Sequence, residues 1–69
     1  MSVEILARIP KTDTAELRVS RSRWKEREVI DLRIWYIPAG KDEYAPSRKG
    51  VAIDAAKLPE LVAALKSAL

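Results

Sequence analysis

The residues whose types and spacing suggest chemistry lie between Leu17 and Tyr36. Six cations stand there, Arg18, Arg21, Arg23, Lys25, Arg27 and Arg33, against three acids, Glu26, Glu28 and Asp31. That stretch accounts for the whole formal net charge of +3, because the cations and anions elsewhere cancel. Trp24, Trp35 and Tyr36 fall within it, leaving Tyr44 as the only other aromatic residue. A positive surface studded with aromatic rings suits a ligand with a charged backbone and flat faces, which describes single-stranded nucleic acid. The plainer reading is a solvated strand face above two core tryptophans.

Other chemistries are poorly served. The chain has no cysteine and no histidine, so neither a disulfide nor the usual zinc ligands nor a common nucleophile–base pair is on offer. Glu26 with Glu28, and Asp42 with Glu43, are paired carboxylates, but each pair sits among basic residues in or beside an expected turn and reads as solvated surface charge. Lys49-Gly50 lacks the preceding glycine spacing of a phosphate-binding loop. The reading is a non-enzyme, with no cofactor or metal implied.

The elements that must position these residues follow from periodicity. Ala15 to Arg23 alternates, with Leu17 and Val19 on one face and Arg18, Ser20 and Ser22 on the other. Val29 to Ile37 alternates more clearly: Ile30, Leu32 and Ile34 oppose Asp31, Arg33 and Trp35. The link Trp24 to Glu28 makes the two strands antiparallel neighbours. Val3 to Ile9 predicts a short edge strand, ended by turn chemistry at Pro10 to Thr14. Pro38 to Asp42 predicts another turn; a short strand at Glu43 to Ala45 leads into Pro46 to Gly50, and Val51 to Ile53 forms a last short strand. Asp54 is a candidate helix cap for a helix from Ala55 to about Ala68; alternatively Ala55 to Leu58 is a loose first turn and Pro59 opens the regular helix. Leu58, Leu61, Val62, Leu65 and Leu69 fall on one helical stripe.

Strands followed by one helix indicate an α+β fold with an antiparallel sheet. The 69 residues are expected to form one domain, with an N-terminal edge strand and turn over 1–14, the sheet over 15–53 and the helix over 54–69. So short a chain buries little apolar surface by itself. With disulfides and metals set aside, a homodimer using Leu58, Leu61, Val62 and Leu65 is the expected remedy. There is no apolar run long enough to span a membrane, and Met1-Ser2-Val3-Glu4 lacks the features of a secretion signal. The expected location is the cytoplasm, in association with the nucleoid if the source is bacterial.

In order along the chain, Leu17-Arg18-Val19-Ser20, Trp24-Lys25, Ile30-Asp31-Leu32-Arg33-Ile34-Trp35-Tyr36, Pro46-Ser47-Arg48-Lys49-Gly50-Val51 and Leu58-Pro59-Glu60-Leu61 resemble the C-terminal domain of the transcriptional coactivator positive cofactor four and its small bacterial relatives. Glu4-Ile5-Leu6 adds a weaker likeness to the bacterial members. The resemblance implies a curved four-stranded antiparallel sheet and one helix, a dimer formed largely through that helix, and binding of single-stranded DNA or unpaired regions of melted duplex. Carried over position by position, it makes Trp24 and Tyr36 base-stacking aromatics and Lys25, Arg27, Arg33, Arg48 and Lys49 basic contacts. Glu26 departs from a usual glycine, Arg21 from a usually apolar residue, and Ala45 from a lysine.

The residues alone leave some assignments open. Arg33 and Tyr36 have opposite parity and should face opposite sides of a regular strand; a bulge or strand end near Trp35 would bring them together. Trp35 shares the face of Arg33 and is either a stacking residue or core, and Tyr44 is expected to be structural. Arg18 joins the candidate contacts. Three function classes follow: a single-stranded DNA-binding, transcription coactivator-like module with little sequence preference, a protein-interaction or regulatory dimer with an incidental basic face, and an RNA-binding module of the same fold. The transcription machinery is a further candidate partner.

Overall fold

The computed structural model describes residues 3–69 and shows four antiparallel strands followed by a helix. The strands are β1 (Val3–Thr12), β2 (Ala15–Trp24), β3 (Arg27–Tyr36) and β4 (Ala45–Asp54), in the spatial order β1-β2-β3-β4. A 3-10 turn (Ala55–Lys57) leads into α1 (Leu58–Lys66). Strand identity follows the alternation of the sequence, and Ala15↔Tyr36 through Trp24↔Arg27 pair without a break between β2 and β3.

Three expected boundaries are corrected. β1 does not end at Pro10 but runs to Thr12, leaving Asp13 and Thr14 as the turn. Proline is tolerated there because β1 is an edge strand, where a missing amide hydrogen bond costs little. Pro46 to Gly50, expected to separate two short strands, is instead part of one continuous strand from Ala45 to Asp54, and of the expected strand Glu43 to Ala45 only Ala45 belongs to it. The sheet absorbs the turn-like residues as a bulge: Arg33 pairs with Gly50 while Trp35 pairs with Pro46, so Ser47, Arg48 and Lys49 all oppose Ile34. The link between β2 and β3 is only Lys25 and Glu26, with φ of 49° and 63°. Two successive positive φ values make the tight hairpin turn whose twist matches the strands, a geometry usually given to asparagine and glycine.

At the C-terminal end the second of the two readings of the helix start is the one observed. The Asp54 carboxylate accepts a hydrogen bond from the Ala56 amide at 3.0 Å and caps the 3-10 turn, and Pro59 stands in the first turn of α1. The regular helix stops at Lys66, short of Ala68.

The two sheet faces differ sharply. One carries Leu17, Val19, Ile30, Leu32, Ile34, Val51 and Ile53, with Arg21, Arg23 and Glu28 toward the hairpin tip; the other carries Glu16, Arg18, Ser20, Ser22, Trp24, Arg27, Asp31, Arg33 and Trp35, with Val29 among them. Yet only two of the described residues are buried, Ile30 on the apolar face and Glu16 on the polar one. Leu58 and Leu61 are half-buried, whereas Val62, Leu65 and Val51 are exposed.

Candidate nucleic-acid interface

The candidate residues divide into three groups. The first is at the tip of the β2–β3 hairpin. Trp24 closes β2, is 56% exposed, and lies on the polar face directly across from Arg27. The Lys25 ammonium sits 4.6 Å above the Trp24 ring, so one ring face is occupied by a cation. Arg27 is 72% exposed and lies 3.5 Å from the Asp54 carboxylate, a loose surface pair that leaves its other donors in solvent.

The second group surrounds Tyr36, which is 42% exposed at the end of β3 on the apolar face. It shares an open hollow of about 670 Å³ with Ala15, Ile34, Lys11, Arg48 and Lys49. The β4 bulge delivers the two basic residues there. The Ser47 hydroxyl donates to the Ile34 carbonyl at 2.7 Å and accepts from the Lys49 amide at 3.1 Å, while an Arg33 Nη1 donates to the Ser47 carbonyl at 3.0 Å. Gly50 closes the bulge; a Cβ there would lie 2.6 Å from the Leu32 carbonyl oxygen, so no side chain fits. Lys11 was not among the residues singled out from sequence, because Pro10 to Thr14 reads as a turn; it takes part only because β1 continues past Pro10.

The third group is linked into ion pairs within the protein. Arg8, Arg18 and Arg33 stand directly opposite one another across β1, β2 and β3 on the polar face. Like charges so placed repel, and each is met by a carboxylate. Glu16 accepts from Arg8 Nε at 2.7 Å and Nη2 at 3.1 Å, and from Arg18 Nε at 2.5 Å. Asp31 takes Arg33 Nε at 3.0 Å and Nη2 at 2.9 Å in a bidentate pair. The Arg18 guanidinium carbon lies 4.2 Å from the centre of the Trp35 ring and 5.3 Å from that of Tyr44. Trp35 is half-buried with a cation over its ring, and Tyr44 is drawn into the same cluster. The Arg8 hydrogen bond, helped by Arg18, holds the Glu16 carboxyl below its ordinary range against the opposing effect of burial. The same pairings push the Arg8 and Arg33 guanidinium groups upward, so both stay charged.

The parity question is settled by register. The β2–β3 ladder is regular through Tyr36 and the shift lies in β4, so Arg33 and Tyr36 face opposite sides. Trp24 and Tyr36 are also on opposite faces and at opposite ends of β3, about 30 Å apart at about 3.3 Å per residue.

Residues 11–64 match the model of the family described as Transcriptional Coactivator p15 (PC4). The chain belongs to the PC4 family. Its fold is similar to that of BPSL1147, a PC4 homologue from Burkholderia pseudomallei, at 25% identity with a TM-score of 0.86, covering 97% of this chain and 97% of that one. An orthorhombic crystal form of the same homologue gives a TM-score of 0.84 at 25% identity, covering 97% of this chain and 89% of that one. The bacteriophage T5 homologue of the eukaryotic coactivator PC4, implicated in recombination-dependent DNA replication, has the same fold with a TM-score of 0.79 at 14% identity, covering 100% of this chain and 78% of that one. No curated protein sequence matches the chain. The PC4 match spans Trp24, Tyr36, Arg48 and Lys49 but stops short of Arg8. No helix among the described residues is long and apolar enough to cross a membrane.

Proposed function

We propose that this PC4-family chain binds single-stranded DNA with little sequence preference, as a homodimer without catalytic activity, in the cytoplasm and in the service of transcription or another process that exposes unpaired DNA. The observation that carries this reading is the pairing of exposed aromatic rings with neighbouring cations in two places. Trp24 stands with Lys25 and Arg27 at the hairpin tip, and Tyr36 with Lys11, Arg48 and Lys49 around the hollow. Bases stack on rings for about 1–3 kcal/mol each whatever their identity, while phosphates meet the neighbouring cations. Duplex DNA hides its base faces and offers only the second kind of contact.

The dimer is supported by what a lone protomer leaves uncovered. With one buried apolar residue, and with Val62 43% and Leu65 59% exposed on the helix, a separate protomer has almost no core. A second copy joined through Leu58, Leu61, Val62 and Leu65 supplies the missing burial. Arg18, Arg33 and Trp35 take a supporting role on the same face as Trp24, since Arg33 is engaged by Asp31 and the Ser47 carbonyl, and Arg18 by Glu16 and the Trp35 ring.

Titration of labelled oligo-dT, oligo-rU and duplex of equal length at several salt concentrations tests the reading. Tight, salt-sensitive binding to oligo-dT with much weaker duplex binding is expected. Equal affinity for duplex would remove the stacking account, preference for oligo-rU would make the ligand RNA, and no binding to any of the three would favour a protein-interaction dimer.

A further inference from the structure

Of the two described residues that are buried, one is a carboxylate. Glu16 is 5% exposed, and its side chain is surrounded by Arg8, Arg18 and, beyond them, the rings of Trp35 and Tyr44. A buried ion cluster is poor value as a source of stability, because desolvation offsets most of the attraction. What such a cluster does well is fix geometry. Glu16 takes Arg8 side-on, through Nε and Nη2, and the guanidinium carbon lies 5.5 Å from the centre of the Tyr44 ring. Both contacts leave Nη1 unused, and the Arg8 side chain remains 52% exposed. Arg18, by contrast, is 14% exposed, and Arg33 has its remaining fork on the Ser47 carbonyl. Arg8 is thus the one member of the transverse arginine row with an outward, oriented donor edge.

Its position extends the polar face toward Trp24. Arg8 pairs across β1 and β2 with Arg18, and from Arg18 the side chains of Ser20 and Ser22 lead along the same face to Trp24, a distance of about 20 Å at about 3.3 Å per residue. Ser20 and Ser22 are small, and across from Ser20 the path is flanked by Ile5 on β1 and by Asp31, which Arg33 engages, on β3. An oriented guanidinium suits a phosphate oxygen, which accepts two parallel N–H bonds.

We propose that Arg8 is a phosphate-binding residue of the single-strand interface, and that Glu16 is the positioning residue that holds it ready. This rests on the reading that the chain binds single-stranded DNA, and it adds a contact outside the segment that matches the family. The strand whose bases stack on Trp24 continues over Ser22 and Ser20 and places a phosphate on Arg8.

The test uses the full chain and labelled oligo-dT over a range of salt, comparing wild type with Arg8→Ala, Arg8→Lys, Trp24→Ala and Glu16→Gln. Arg8→Ala should reduce the slope of log affinity against log salt by about 0.7, the share of one phosphate on a single strand. Arg8→Lys should restore the slope, since a lysine also displaces a counterion; a purely structural role would move stability and leave the slope alone. In the Glu16→Gln background the effect of Arg8→Ala should shrink, because the guanidinium is no longer held. Should Arg8→Ala fail to fold, the Arg8 Nε–H resonance of the wild-type protein reports on the same guanidinium and should shift when oligo-dT is added. The proposal is overturned alone if wild type binds and Trp24→Ala weakens binding, but a folded Arg8→Ala keeps wild-type slope and affinity, or the Arg8 resonance stays fixed. It falls together with the single-strand reading if wild type does not bind oligo-dT.

Discussion

Trp24→Ala separates the stacking contact from the charge contacts. The ring is 56% exposed, and the Lys25 ammonium lies 4.6 Å from its centre. Losing an exposed cation–π contact costs about 0.5–1 kcal/mol, so the fold should survive with a melting temperature lowered by about 4–8 °C at most. Losing a base platform costs about 1–3 kcal/mol of binding, equivalent to about 5- to 150-fold in Kd. No cation is removed, so the salt slope should stay at its wild-type value. Fluorescence anisotropy of labelled oligo-dT at several salt concentrations, with circular dichroism melting alongside, measures all three quantities. An unfolded variant would show that the ring is core. A folded variant with unchanged affinity would show that no base rests there, and a flattened slope would mean that Trp24 acts by placing cations rather than by stacking.

Leu65→Asp puts a charge on the exposed apolar helix face and should give monomeric or unfolded protein by sedimentation, where wild type sediments as a dimer. Glu26→Gly relieves a residue held at φ 63°; the left-handed conformation costs a side chain about 1–2 kcal/mol, and after the added freedom of the unfolded chain about 0.5–1 kcal/mol of stabilisation should remain in denaturant melts. Glu16 is held below its ordinary value of 4.5, so its contribution is fully present above that pH and is lost as pH falls through the folded value. Wild-type stability should therefore fall as the pH drops below about 4.5, and Glu16→Gln should show a shallower fall in the same acid titration.

The sequence made the centre of the sheet legible because its alternation is strict there. Leu17, Val19, Ile30, Leu32 and Ile34 share a face in the structure as their spacing requires. The edges were less legible because proline and glycine carry two meanings. Pro10 and Pro46 look like turn residues, but each lies in an edge strand, and Gly50 serves a close approach to Leu32 rather than a turn. The Lys25-Glu26 turn was hidden by its composition, since neither residue signals positive φ. For the interface, Trp24, Lys25, Tyr36, Arg48 and Lys49 could be singled out from type and order. Arg18 and Arg33 each lie two residues from their acids, Glu16 and Asp31, so those pairs are local, but the joining of Arg8 to Glu16 is not. It depends on which strands lie beside each other and on a register shift in β1 between Ile5 and Ala7, which turns Arg8 onto the face of Arg18 and Glu16. Long-range register of that kind leaves no local pattern.

The two tryptophans give the most direct test, because the account assigns them opposite roles on one sheet face. Each has a single indole N–H, resolvable in the wild-type protein by nitrogen-15 NMR. On titration with oligo-dT the Trp24 resonance should shift or broaden to saturation. The Trp35 resonance, beneath the Arg18 guanidinium, should hold its position, and equal-length duplex should move neither to a comparable extent. A stationary Trp24 signal at saturating oligo-dT, or an equal response to duplex, would contradict single-strand binding by stacking at this site.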